Sequence, residues 1–124
     1  MKKYIILVGI GGAAGSIARY VMATYLSRLF PSSFPYGTFA VNILGCLVIG
    51  ILFGLSERFS WFTGDWRIFL ATGFCGGFTT FSSFAAENVQ LLQQSNYLTF
   101  ALYSIASFTL GLMAVFMGLT LTKL

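Results

Sequence analysis

The chain has 124 residues, of which 57% are apolar and only 8% charged, with a mean hydropathy of +0.86. Soluble domains carry about a quarter of their residues as charges, so the composition reads as a membrane protein and leaves no room for a soluble catalytic domain. The net charge of +4 includes no basic cluster beyond Lys2-Lys3, which argues against a nucleic-acid partner and for anionic lipid and membrane orientation.

The charged residues leave uncharged runs at 4–18, 29–56, 68–86 and 88–122. A bilayer-crossing helix needs about 20 residues, so the pattern predicts one domain, 1–124, of four transmembrane helices at 4–26, 36–55, 67–92 and 97–121. The first apolar stretch is too long for the core of a signal peptide and three further spans follow it, so it reads as a retained helix. Its Gly9, Gly11, Gly12, Ala13, Ala14, Gly15 and Ser16 present almost no side-chain bulk, a face on which another backbone can close. No Lys-Ser/Thr follows these glycines, and a phosphate loop is set aside. Arg19, within this span, has three open readings: an anchor for anionic lipid, a cap on a neighbouring helix carbonyl, or a charge that raises the potential along an anion route.

Pro31, Ser32, Ser33 and Pro35 mark a turn, because proline disfavours helical geometry before it and serine competes for backbone partners. The second span carries Asn42, either a link between helices or a donor and acceptor presented to an ion, together with Gly50 and Gly54. The connection at 57–66 contains Trp61 and Trp66, which suit the interfacial layer.

The third span reads Gly73-Phe74-Cys75-Gly76-Gly77-Phe78-Thr79-Thr80-Phe81-Ser82-Ser83-Phe84 at its centre. Adjacent glycines followed by threonines weaken a helix where the membrane makes unpaired backbone most costly, so a break is expected near 76–80. Broken membrane helices mark ion sites, since loose carbonyls bind cations and exposed amides favour anions. The plainer alternative is that the glycines serve helix contact and the threonines bond back to the preceding turn. In the fourth span, Tyr103 and Ser107 lie four apart on one face and form a polar stripe.

Bond-making catalysis is excluded. There is no His, no pair of acids in one segment and no Ser beside a base, and Cys46 and Cys75 fall in apolar stretches as small hydrophobes. A zinc or iron centre lacks ligands. The remaining functions are movement or recognition of something small. Glu87 is the single acid inside a span, and its role is left open. A small proton-coupled exporter would be expected to place a carboxylate in its first helix, where this chain has Arg19. Phe81 and Phe84 share a face, and aromatic rings have electropositive edges that stabilise an anion. With cytoplasmic ends, Lys2, Lys3, Arg58, Arg67 and Lys123 oppose Arg28, a five-to-one bias that Arg19 softens. Four short helices leave little space for a selective path, so a two-fold dimer is expected.

Three strings taken together are specific: Gly-Gly-Phe-Thr-Thr-Phe-Ser-Ser-Phe at 76–84, Gly37-Thr38-Phe39-Ala40-Val41-Asn42-Ile43-Leu44-Gly45, and Gly-Gly-Ala-Ala-Gly-Ser-Ile-Ala-Arg-Tyr at 11–20. In order and spacing they closely resemble the small fluoride channels of the Fluc or CrcB family. The resemblance implies an all-α fold of four spans per subunit, an antiparallel dual-topology homodimer with two pores, and passive, highly selective fluoride export that protects a microbe. It implies that Phe81 and Phe84 turn ring edges to the ion, that Asn42 donates to it, that Thr38, Tyr103 and Ser107 supply hydroxyls along the route, and that Arg19 stands near the anion entrance. It further implies a structural sodium ion at the dimer centre, held by backbone carbonyls at Gly76 and Thr79. Dual topology sits poorly with the charge bias, which leaves an oppositely oriented paralogue as an alternative partner. A small cation or multidrug exporter and a non-transporting membrane scaffold are the competing functions.

Overall fold

In hydrocarbon a backbone group without a partner costs several kcal/mol, so each apolar run winds into a helix. The computed structural model describes residues 1–124. It contains α1 (Lys2–Leu29), α2 (Tyr36–Arg58), a third span divided into α3 (Gly64–Arg67), a π-helical segment (Ile68–Cys75), α4 (Gly76–Phe78) and α5 (Phe81–Gln93), and finally α6 (Tyr97–Leu121). The four spans are each long and apolar enough to cross a membrane, and the chain is a multi-pass membrane protein. The helices reach further than the apolar runs: α1 includes Lys2 and Lys3 and ends with Arg28 in its last turn, where a cation complements the helix dipole.

Packing is inverted relative to a soluble bundle. The interior is built largely from small residues, including Gly11, Gly15, Gly45, Gly50, Gly111 and Gly118, while Phe108 and Phe116 stand outward. Lipid is as apolar as a leucine side chain, so association rests on close backbone approach rather than on hiding large side chains. The glycine face of α1 closes on the third span: a methyl group at Gly15 would run into the Phe74 carbonyl, and one at Gly77 into Gly12. On the other side of the bundle α2 lies along α6, with Gly50 against Val115 and Gly118 against Leu47.

Two contacts draw the N-terminus, the end of α2 with the start of the third span, and the C-terminus to one end of the bundle. Lys3 Nζ pairs with Asp65 Oδ2 at 2.6 Å, and Arg58 Nη1 donates to the Thr122 carbonyl. That end also holds Arg67 and Lys123, whereas Arg28 lies at the end of α1 that faces the opposite side.

The break of the third span falls within the expected 76–80, and the structure refines it in two ways. The irregular point is at its end and not at the glycines: Gly76 and Gly77 are helical, and the backbone becomes extended at Thr79 (φ −88°, ψ 156°) and Thr80 (φ −150°, ψ 117°). Gly77 serves close contact with α1, and β-branched threonine accommodates extended backbone well. The segment before the break is wound as a π helix, a form that occurs as local widening within α-helices and often at functional sites. Nothing in the pattern of Ile68-Phe69-Leu70-Ala71 marks it.

Replacing Gly15 with Ala is expected to push α1 from the third span and destabilise the fold by about 1–3 kcal/mol, whereas Gly9→Ala, where a methyl meets nothing within 4 Å, should be neutral. The fraction surviving size-exclusion chromatography after a temperature ramp in detergent measures both.

Candidate functional site

A break in mid-membrane is stable only if its freed groups find partners. Helix α2 supplies one side chain that does most of this work. The Thr80 N–H donates to Asn42 Oδ1 at 2.8 Å, and Asn42 Nδ2 donates to the Thr80 carbonyl at 3.0 Å. The amide of Asn42 thus pairs with the Thr80 peptide as a neighbouring strand would. Thr80 also caps α5, its Oγ1 accepting from the Ser83 N–H at 3.2 Å, and Thr79 Oγ1 bonds back to the Cys75 carbonyl at 2.9 Å. Arg19 reaches across from α1, and its Nε donates to the Gly77 carbonyl at 3.0 Å. Of the three readings of Arg19, the carbonyl cap is the contact observed.

Around this break lies an open cavity of about 500 Å³. Asn42 and Cys46 line it from α2, Phe81 and Phe84 from α5, and Ser107 from α6, with Gly76 and Thr79 at the break itself. The rings of Phe81 and Phe84 are 5.8 Å apart at 42°. Phe81 is 78% exposed within this single chain, and Phe84 is half-buried against Tyr103, at 4.9 Å between ring centres.

Thr38 and Tyr103 meet elsewhere. Their hydroxyls donate to the two carboxylate oxygens of Glu87, Thr38 to Oε2 and Tyr103 to Oε1, each at 2.9 Å. Tyr103 is fully buried and ringed by Phe34, Phe39 and Phe84. The predicted residues therefore form two groups joined through Phe84: Asn42, Phe81, Phe84, Ser107, Gly76 and Thr79 around the cavity, and Thr38 with Tyr103 on Glu87. Arg19 stands behind the break. Sequence reasoning left Glu87 without partners and omitted Thr80 and Ser83. The capping pair had a local signal, a threonine three residues before a serine at a helix start; the Glu87 cluster draws on three spans and had none.

Both cysteines are free. No cluster of three His, Cys, Asp or Glu side chains offers a metal site, so any cation held here rests on carbonyl and hydroxyl oxygen.

The broken third span, the side chains that satisfy it and the polar track beside it define a small ion-handling membrane protein. Residues 6–119 match the family model described as CrcB-like protein, Camphor Resistance (CrcB), and this chain belongs to that CrcB/FluC family. A protein of Azobacteroides pseudotrichonymphae called fluoride-specific ion channel FluC is 50% identical over 123 residues, 99% of this chain and 98% of the relative. Relatives of the same name from Nitratidesulfovibrio vulgaris and Phocaeicola vulgatus are 46% and 42% identical, the former over 96% of this chain and 95% of its own, the latter over 98% and 99%.

Asn42→Ala leaves the Thr80 N–H and C=O unpaired, at about 1–3 kcal/mol each. The expected outcome is a lower melting temperature and faster amide hydrogen exchange confined to residues 79–83, read by mass spectrometry.

Proposed function

We propose that the chain forms a passive, fluoride-selective channel through which fluoride leaves the cell, assembled as an antiparallel dimer with two routes. The observation that carries the reading is the Asn42 amide, set between a broken helix and a cavity flanked by phenylalanine rings, in a chain half identical over its length to a protein called a fluoride-specific channel. It is not an enzyme; no bond is made or broken.

Fluoride is small and strongly hydrated, so a route must replace part of its water shell with donors while holding it weakly enough to release it. An amide NH₂ has two donors. One is spent on the Thr80 carbonyl, and the other is free for an ion in the cavity. The Ser107 hydroxyl contributes a second donor, and the ring edges of Phe81 and Phe84 a weak positive rim. A single aliphatic wall would offer none of these. The Thr38 and Tyr103 hydroxyls extend the track past Phe84. Each has one proton, now pointed at Glu87, so each serves an anion only on turning from that carboxylate. Arg19 adds positive potential near the break and, in this reading, marks the entrance.

The cavity is open on the side where Phe81 and Phe108 stand exposed. That open side supports the dimer, in which a second copy closes it; the five-to-one charge bias fits an identical antiparallel copy poorly and keeps an oppositely oriented paralogue as the alternative partner. A sodium ion at the dimer centre suits the donor set. The amide that would normally bond the Gly76 carbonyl belongs to Thr80 and is taken by Asn42, and the one for the Thr79 carbonyl belongs to Ser83 and is taken by Thr80 Oγ1. Both carbonyls therefore lose their helical donors, and two copies bring four such oxygens. Bound sodium supplies fixed positive charge that satisfies them; the ion is a structural part and is not transported.

Vesicles loaded with potassium fluoride and treated with valinomycin should release fluoride rapidly, with negligible release in a matched chloride preparation, as followed by ion-selective electrodes. Replacing both Phe81 and Phe84 with Ile is expected to lower fluoride flux at least tenfold while cross-linking still finds the dimer. An unchanged flux in that variant would favour a scaffold, and proton-coupled movement of a cation would favour an exporter. Dialysis against a sodium-free buffer is expected to lower the dimer's melting temperature and to be reversed by sodium but not by a bulky organic cation.

A further inference from the structure

A second cavity, of about 420 Å³, shares Ile49 and Ala71 with the cavity at the break. The two form one groove between α2 and the third span. On α2 it is lined by Asn42, Cys46, Ile49 and Phe53, spaced four, three and four apart, which is one helical face. On the third span it runs back from Thr79 through Cys75 and Ala71 to Arg67, a spacing of four throughout. The groove leads from mid-membrane to the end of the bundle where Lys3 and Asp65 lie.

Arg67 is the one charged side chain along its walls. Its guanidinium stands 5.9 Å from the centre of the Phe53 ring, across the groove mouth. Asp65, two residues before it, pairs with Lys3, and no other acid reaches Arg67. The ion pair thus removes the nearest negative charge and leaves the positive charge at the mouth uncompensated, on a stem held by an aromatic face.

We infer that this groove is a water-filled approach and that Arg67 concentrates anions at its mouth, delivering them to Asn42. The inference rests on the fluoride reading for its ion, but the groove and its field are testable without fluoride. A unit charge at about 7 Å in water changes the local concentration of a monovalent ion about threefold, and salt screens the effect beyond about 10 Å at 0.1 M. Arg67 is therefore a recruiting residue whose effect vanishes at high ionic strength, unlike that of a group that binds the ion.

Cys46 lies partway along the groove and reports on it. In a Cys75→Ala background it is the sole thiol. An anionic sulfonatoethyl methanethiosulfonate and its cationic trimethylammonium counterpart each form a mixed disulfide: the thiolate attacks the sulfenyl sulfur, methanesulfinate leaves with the bonding pair, and the thiol proton passes to buffer. In phosphatidylcholine vesicles at about 0.01 M salt, the anionic reagent should react faster. Arg67→Gln should lower the anionic-to-cationic rate ratio about sevenfold, the square of a change of about 2.7-fold for each reagent. Arg67→Lys should retain the ratio, and Arg67→Gln should also lower fluoride release about threefold in the same buffer, an effect lost in concentrated salt. Where Cys75→Ala fails to fold, the two-cysteine protein serves with Cys46→Ser as its blank, since Cys75 is 3% exposed. An unreactive Cys46, or a rate ratio indifferent to Arg67→Gln, overturns the inference even where fluoride is conducted. Vesicles that release no fluoride while the ratio shifts as expected overturn the fluoride reading and leave the groove standing.

Discussion

Two hydrogen bonds between the Asn42 side chain and the Thr80 peptide hold irregular backbone in the middle of a bilayer. Water outside a membrane would satisfy such a peptide at little cost; hydrocarbon does not, so the partner has to be built in. Much of the molecule follows from that requirement. Helix α2 must lie close enough for a short amide to reach Thr80, which the small Gly45 beside the Thr79 side chain permits. Helix α1 must lie close enough for Arg19 to reach Gly77, which the absence of side chains at Gly15 and Gly77 permits. The glycines and the polar groups are parts of one arrangement: small residues let the spans approach, and the approach lets side chains stand in for missing helix bonds.

The same arrangement creates the chemistry. Asn42 has more donors than the break consumes, and the carbonyls of Gly76 and Thr79 have fewer partners than a helix would give them. Donors suit an anion and carbonyls suit a cation, so a single interruption of one helix produces two opposite preferences within a few residues. Glu87 shows how narrow the tolerance is. It is the one acid away from the ends of a span, and both of its oxygens are covered by hydroxyls from two other helices, which spreads its charge over groups that an anion could otherwise use.

The single chain is an incomplete object. Phe81 stands outward beside a cavity that has no fourth wall, and packing within the chain does not explain a large ring placed there. In the dimer proposed above, a partner copy would supply the missing side and give Phe81 a site to serve.

Composition and charge spacing by themselves determined that the chain crosses a membrane four times, because hydropathy over about 20 residues is a local property. The strings at 11–20, 37–45 and 76–84 pointed to the family and to Asn42, Phe81 and Phe84 as residues of interest. Only the tertiary structure decided where the third span breaks. Two glycines look like the weak point, yet both are helical, with α1 packed on Gly77, and the break falls at Thr79 and Thr80, where Asn42 receives it. Likewise only the fold gave Glu87 its partners, since Thr38 and Tyr103 lie 49 and 16 residues away in sequence. Propensity belongs to neighbouring residues, whereas the satisfaction of a buried polar group depends on whatever another span brings within 3 Å or so.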